Sequence, residues 1–278
     1  MTSDGADATP SNGADATSSN CADARWALVT GAASGIGAAF AAQLAARKYG
    51  LWLVDKQGDA LMAVARDLET RHGVPVKTIV ADLGSTADQD AVIDVIESSP
   101  GLDLLVNNAG FGDPRLFERI PPENHVAMLQ VHVMAPVRFT RAALPAMIAR
   151  KKGAIVNVCS MIQYIQTPGN TTYGATKMFL DSFSRQLNLE VGRHGIEIQS
   201  LIPGYTISNF GKTDEYKTSP RAAIPAHLWS TAESVVEASL HQLGSGSLRC
   251  VPGTFNRVLE FCLRRGLFSP RLMRRWIA

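Results

Sequence analysis

The sequence predicts one doubly wound α/β domain built on a parallel sheet of about seven strands. From residue 25 onward, short apolar runs alternate with helical patterns, as in sheets that are covered by helices on both faces. A glycine-rich turn at residues 31–37 joins the first apolar run to an alanine-rich helical run. The chain has 278 residues, 46% of them hydrophobic, which is enough to bury the core of one such domain.

The elements follow one another as strand, helix, strand along the chain. We predict strands near residues 26–30, 51–54, 76–80, 103–106, 153–158, 196–201 and 248–252. The helices are predicted near residues 36–48, 58–71, 86–98, 122–149, 172–192 and 231–243. Ligands of such sheets bind beyond the carboxyl ends of the strands.

The first 24 residues differ in composition from the remainder. They consist almost wholly of Ala, Asp, Ser, Thr, Gly and Asn, with four Asp and no Lys or Arg. Such a segment cannot bury enough apolar surface to offset its chain entropy, and a transit peptide would be basic. We therefore predict a disordered tail over residues 1–24 and one domain over residues 25–278.

Composition excludes several classes of function. The net charge of +2 does not suggest a nucleic-acid-binding protein, and no apolar run approaches the ~18 residues of a membrane span. The four cysteines, Cys21, Cys159, Cys250 and Cys262, have no paired or metal-ligand spacing. We expect a reduced, cytoplasmic protein without a metal site.

The glycine-rich turn is typical of a dinucleotide site. Gly31 would turn the chain, Gly35 would let backbone approach a pyrophosphate, and Gly37 would let the helix pack closely. Phosphate would lie on the helix N-terminus, next to Ser34 and Ile36. A turn of this kind is also common in loops that bind no ligand, so the assignment of a dinucleotide site needs support from the second strand. Asp55 ends that strand, where a Rossmann-type fold places a carboxylate on the adenosine ribose.

Two adjacent residues have opposite effects on the predicted cofactor preference. Asp55 would bind both ribose hydroxyls and repel a 2′-phosphate, whereas Lys56 would offset part of that repulsion. Because direct contact should outweigh a flexible neighbour, we expect NAD(H), with NADP(H) as the alternative.

Three side chains suggest acid–base chemistry. Ser160 ends the fifth strand, and YGATK places Tyr173 and Lys177 four residues apart, on one helix face. A nearby cation favours phenolate and makes Tyr173 usable as a proton donor or acceptor. Ser160 would stabilise charge on the substrate oxygen. Taken singly, Tyr173 could pack, Lys177 could be solvated and Ser160 could be a cap.

Together the motifs TGAASGIG, Asp82, NNAG, Ser160, YGATK and Pro203–Gly204 resemble those of the classical short-chain dehydrogenases/reductases. The resemblance covers about residues 25–252 and implies interconversion of an alcohol and a ketone by hydride transfer. It implies a homodimer or homotetramer, and it places Lys177 on the nicotinamide ribose. It further implies cofactor contacts from Asp82, Leu83, Asn108, Ala109, Gly110, Tyr173, Pro203, Gly204, Thr206 and Ser208.

Two positions depart from the family pattern: Ser208 stands where the family has a Thr that contacts the nicotinamide carboxamide, and the fourth catalytic position also differs. His132 aligns where the family has a fourth catalytic residue, an Asn that fixes a water in a proton relay. A histidine could hold that water and can also titrate near neutrality, so we predict a relay role. The alternative is a core histidine with its hydrogen bonds satisfied.

The substrate side is apolar. In the family, the irregular segment from Tyr205 to Ser230 covers the substrate. The predicted pocket residues are Met161, Ile162, Tyr164, Tyr205 and Phe210. They imply a hydrophobic secondary alcohol or ketone, although each could instead pack in the core or at a subunit interface.

The C-terminal end is basic. Residues 249–278 hold seven Arg and one Glu, and from about residue 254 the arginines alternate with apolar side chains. This predicts an amphipathic end that contacts an anionic membrane surface, folds over the substrate mouth or meets a neighbouring subunit.

Two rival functions stay open at this point. One is a catalytically impaired, nicotinamide-binding sensor or scaffold, and the other is a membrane-peripheral reductase of lipid or sterol ketones.

Overall fold

A computed structural model describes residues 25–99, 101–165, 167–207 and 225–267. The predicted tail, Ser208, Phe210 and residues 268–278 lie outside the described residues.

Seven parallel strands form the central sheet of the described chain, as predicted. In chain order they are β1 (Trp26–Thr30), β2 (Gly50–Asp55), β3 (Val76–Val80), β4 (Leu102–Asn107), β5 (Gly153–Val158), β6 (Ile196–Leu201) and β9 (Arg249–Cys250). Their order across the sheet is β3-β2-β1-β4-β5-β6-β9. Two further short strands, β7 (Thr206–Ile207) and β8 (Ser230–Thr231), pair in parallel beside it.

Helices cover both faces of the sheet. They are α1 (Gly35–Ala46), α2 (Gly58–His72), α3 (Thr86–Glu97), α4 (Pro122–Leu129), α5 (Ala135–Arg150), α6 (Thr171–Val191), α7 (Ala232–Gln242) and α8 (Thr254–Arg264). Among the described residues, no helix is long and apolar enough to cross a membrane.

Strand geometry divides the core into two layers. Successive side chains of a strand point to opposite faces, so Val29 packs in one hydrophobic cluster, with α1, α2 and α7. Its neighbour Leu28 packs in the other, with α3, α5 and α6. Burial on both faces explains why the strands read as continuous apolar runs.

The order of the strands creates the cleft. β1 lies between β2 and β4, so the connections after β1 and after β4 leave the sheet in opposite directions. Crevices of this kind are where α/β sheets bind ligands. The glycine-rich turn after β1 and the NNAG turn after β4 border this one.

The helix predicted at residues 122–149 is not uniform. Between α4 and α5 the chain forms one wide turn, a π-helix over Gln130–Met134, with His132 at its centre. The apolar sequence QVHVM fits an ordinary helix equally well, so the pattern could not reveal it. Such wide turns are frequent at functional sites.

Candidate active site

The glycine-rich turn is closely packed. Gly31 has a φ of +68°, in the left-handed region. A Cβ on Gly37 would lie 2.0 Å from the Gly31 carbonyl oxygen. The first turn of α1 therefore stands directly against the loop, and no other residue fits at Gly37. Ser34 is the N-cap without a side-chain capping bond, and the first turn of α1 contains no acidic residue.

The NNAG turn braces this loop. Asn108 donates from Nδ2 to the Thr30 carbonyl at 2.8 Å and to the Gly31 carbonyl at 3.2 Å. The Thr30 hydroxyl accepts from the backbone N–H groups of Asn108 and Ala109, each at 3.0 Å. The ends of β1 and β4 are thereby tied together beneath the cleft.

Asp55 lies at the end of β2, facing the same loop. Its Oδ2 accepts from the Ala33 N–H at 3.0 Å, and its Oδ1 accepts from the Gln57 N–H at 3.0 Å. Each carboxylate oxygen has a second acceptor position, so both remain able to bind ribose hydroxyls. Asp82 is exposed and accepts from the Gly84 N–H at 2.9 Å, while Leu83 is buried.

These residues fit a dinucleotide. The positive-φ turn at Gly31 and the close packing at Gly37 leave backbone, not side chains, facing the start of α1. Backbone amides at a helix N-terminus bind phosphate, and a nearby carboxylate suits a ribose diol.

Lys177 and Tyr173 lie together beside the end of β5, the strand that leads to Ser160. Lys177 is buried and donates from Nζ to the Val158 carbonyl at 2.8 Å, two residues before Ser160. The same Nζ lies 5.7 Å from the centre of the Tyr173 ring. Ser160 is the N-cap of a short turn, and its Oγ accepts from the Ile162 N–H at 3.3 Å. That bond uses a lone pair, so the hydroxyl proton can still be donated to a substrate oxygen.

Burial alters the acid–base properties of Lys177. Because it disfavours the charged form, burial lowers the pKa of the Lys177 ammonium to about 8. The side chain still carries a proton at neutral pH, and its charge lies next to the phenol.

His132 lies beside Tyr173 and Lys177. Its ring centre is 5.7 Å from that of Tyr173. A Cβ on Gly110 would lie 3.0 Å from His132 Nε2 and 3.6 Å from Lys177 Nζ, so only a glycine leaves these two nitrogens facing the turn.

The hydrogen bonds of His132 identify its tautomer. The Phe111 N–H can only donate, and it donates to Nε2 at 3.0 Å. Nδ1 therefore carries the proton and donates to the Thr176 hydroxyl at 2.9 Å, which in turn donates to the Tyr173 carbonyl at 2.8 Å. Burial, and then the charge of Lys177, hold the pKa of His132 well below 6.5. A relay through this ring would have to open one of its two bonds.

Two predicted pocket residues serve packing beneath the catalytic strand. Met161 is 5% exposed and packs with Cys159, Leu180 and Ile202. The Tyr164 hydroxyl is a partner of Arg249, whose guanidinium lies 5.7 Å from the Tyr164 ring centre. This packing argues against the prediction that Met161 and Tyr164 line the substrate pocket.

The remaining predicted residues lie on the segments that follow β5 and β6. The Pro203 carbonyl accepts from the Met161 N–H at 2.9 Å, and a Cβ on Gly204 would lie 2.7 Å from the Asn256 side chain. Thr206 is buried at the start of β7, and Tyr205 packs against Trp229 with ring centres 5.6 Å apart. Ile162 is half-buried.

An ion network behind the site is absent from the sequence predictions. Asp181, one turn after Lys177, accepts from the Ser200 hydroxyl at 2.7 Å and pairs with Arg249 at 3.0 Å. Arg249 also pairs with Glu260 at 2.8 Å. Because the partners are far apart along the chain, spacing carries no signal of them.

Comparisons with known proteins show which family this chain is similar to. Residues 25–218 match the profile of the short chain dehydrogenase family. The chain is 36% identical over 226 residues to very-long-chain 3-oxoacyl-CoA reductase-B of Danio rerio, covering 79% of this chain and 69% of that protein. It is 35% identical over 187 residues to inactive hydroxysteroid dehydrogenase-like protein 1 of Homo sapiens, covering 66% of this chain and 57% of that protein.

A solved structure has the same fold. A short-chain dehydrogenase from Sphingobium yanoikuyae in complex with NADPH superposes with a TM-score of 0.77 at 31% sequence identity. The match covers 88% of this chain and 95% of that one.

Proposed function

Because this chain belongs to the short chain dehydrogenase family, whose members use NAD(P)(H), we propose that it reduces a hydrophobic ketone to a secondary alcohol. The observation that carries the proposal is the buried Lys177, which lies beside the Tyr173 ring and bonds β5 just before Ser160. Lys177 is bonded within two residues of Ser160 and lies 5.7 Å from the Tyr173 ring. A lysine is rarely buried unless it is paired, and the partner that the structure gives Lys177 is a backbone carbonyl.

Each of the three side chains has its own task. The cofactor, when bound, supplies the hydride. Tyr173 donates its phenolic proton to the ketone oxygen, and the neighbouring Lys177 charge stabilises the phenolate that remains. Ser160 donates a hydrogen bond to the same oxygen, where negative charge develops.

His132 positions this group of side chains. Its two bonds link the turn after β4 to α6 through Phe111 and Thr176. Thr176 lies next to Lys177 in the chain, so the ring holds the helix segment that carries both Tyr173 and Lys177. We also propose a relay role for His132, which depends on water reaching its Nε2 beside Gly110 and Lys177.

The proposed substrate is a hydrophobic ketone, with a 3-oxoacyl thioester as the first candidate. The relative from Danio rerio is named for such a substrate. Ile162 and Tyr205 remain the predicted apolar contacts among the described residues.

For the cofactor we propose NAD(H). The Asp55 carboxylate bonds the glycine-rich loop through the Ala33 N–H, and at a few ångströms a carboxylate repels a 2′-phosphate by on the order of a few kcal/mol. The kcat/KM ratio for NADH and NADPH tests this. We expect NADH to be preferred, Asp55→Ser to shift the ratio towards NADPH by about tenfold or more, and Lys56→Ala to leave NADH preferred. A wild-type preference for NADPH above tenfold contradicts the proposal.

The decisive experiment is turnover of a panel of 3-oxoacyl thioesters and aryl ketones. Tyr173→Phe should lower kcat by about 10²–10⁴-fold while dinucleotide binding, followed by fluorescence, is retained. Tyr49→Phe is the matched control, since Tyr49 packs under Arg25, away from the cleft. Dinucleotide binding without turnover of any ketone would instead favour the sensor or scaffold, which the inactive human relative makes worth testing.

Assembly and location are part of the same proposal. Exposed apolar side chains on α4 and α6, among them Val126, Leu129 and Phe179, support a homodimer or homotetramer. We propose a cytoplasmic enzyme.

A further inference from the structure

Helix α8 presents apolar side chains to solvent and polar side chains to the protein. Asn256 and Glu260 are 9% and 7% exposed, whereas Phe255, Val258 and Phe261 are 58%, 60% and 46% exposed. The last three residues recur every third position and form one stripe along the helix. We call them the outer strip.

Buried ion pairs set the orientation of α8. Glu260 pairs with Arg249 at 2.8 Å, and Arg249 pairs with the buried Asp181 of α6. On the same side, Leu259 and Leu263 pack against the cluster around Cys159 and Ile202. Rolling the helix to bury the outer strip would break these pairs and leave charges without partners, which is costly.

Basic side chains border the outer strip. Arg257 and Arg265 are exposed, and the Arg265 guanidinium lies 5.1 Å from the centre of the Phe261 ring. Arg264 lies one helical turn after Glu260 and pairs with it at 3.2 Å. The sequence after residue 267 adds three arginines and no acidic residue. An apolar stripe flanked by arginines is complementary to an anionic bilayer surface, which offers acyl chains beneath phosphates.

We propose that α8 docks on an anionic membrane surface, with the outer strip in the acyl boundary and the flanking arginines on lipid phosphates. This is binding in the plane of the surface, since α8 spans only Thr254–Arg264. A second copy of this chain is a poorer occupant of the strip. A symmetric contact through α8 would bring Arg257 and Arg265 against their own counterparts.

Vesicle binding of the full chain tests the proposal. Wild type should co-sediment with vesicles of phosphatidylcholine and phosphatidylserine, bind vesicles of phosphatidylcholine alone more weakly, and release at high salt because screening weakens surface attraction. Phe255→Asp/Val258→Asp should bind roughly tenfold more weakly or worse. Both side chains are exposed, so melting temperature should be unchanged. Arg257→Gln/Arg265→Gln should bind more weakly and show a smaller salt dependence.

Leu189→Asp provides the matched control. Leu189 is 78% exposed on α6, so one negative charge, half that of the double variant, is introduced outside α8 and binding should stay at the wild-type level. Three results would overturn the proposal: no vesicle binding by wild type, equal binding by Phe255→Asp/Val258→Asp, or a wild-type dimer that this variant dissociates without any vesicle binding. The proposal does not depend on the reaction, because soluble ketone turnover and vesicle binding are measured separately.

Discussion

Replacing His132 with Asn should make folding stability less sensitive to acid. In the folded protein the Phe111 N–H occupies Nε2, and burial together with Lys177 keeps the pKa of the ring well below 6.5. In the unfolded chain the ring titrates near 6.5. As the pH falls through that value the unfolded state takes up a proton that the folded state does not, so stability is lost.

The magnitude follows from that difference in proton uptake. Between pH 7.5 and pH 5.0, protonation of a free imidazole stabilises the unfolded wild-type chain by about 2 kcal/mol. The variant, which lacks the ring, does not show this loss. Urea unfolding of both proteins at the two pH values, at equal protein concentration, measures it. If wild type and His132→Asn lose the same free energy, the ring is not held neutral in the folded state and the tautomer assigned above is wrong.

Three further predictions test other parts of the structure. Lys177→Met should remove a pH dependence of folding stability that lies in the alkaline range. Because burial lowers the pKa of Lys177 to about 8, the free energy of unfolding of wild type should rise by about 2 kcal/mol relative to that of the variant between pH 7.5 and 9.5. Parallel stability curves would contradict this. Gly37→Ala should cost about 1–3 kcal/mol in thermal unfolding and weaken dinucleotide binding, since its Cβ would lie 2.0 Å from a carbonyl oxygen. Gly192→Ala, whose nearest contact would be 4.0 Å away, is its control. Glu260→Gln should cost about 2–3 kcal/mol in urea unfolding because Arg249 loses a buried charged partner, whereas the exposed Glu237→Gln should change stability little.

The sheet could be predicted from sequence because its strands are buried on both faces. β1 and β5 follow continuous apolar runs, and their ends match the predicted residues. β9 is shorter than predicted, Arg249–Cys250 instead of residues 248–252. It lies at the edge of the sheet and pairs only with β6, so less of its sequence is constrained.

Sequence predicts only those site residues whose positions follow from the ends of the strands. Ser160 and the Tyr173–Lys177 pair follow from position along β5 and α6. The contact of Tyr164 with Arg249 could not be predicted because the two residues lie far apart in sequence, and an aromatic side chain after a strand end is compatible with a pocket and with packing alike. The orientation of α8 could not be predicted from sequence for the same reason, since it depends on the ion pairs of Arg249 with Asp181 and Glu260.

The wide turn at Gln130–Met134 holds one residue more than a regular helix would place there. Each residue of a helix accounts for about 100° of rotation, so α4 is rotated by that amount relative to an uninterrupted continuation of α5. A single-residue deletion in this turn would restore a regular helix and swing Met128 out of the interior, or else carry His132 away from Phe111. The inserted residue therefore fixes the rotation of α4 relative to α5, so that Met128 packs in the interior while His132 bonds Phe111.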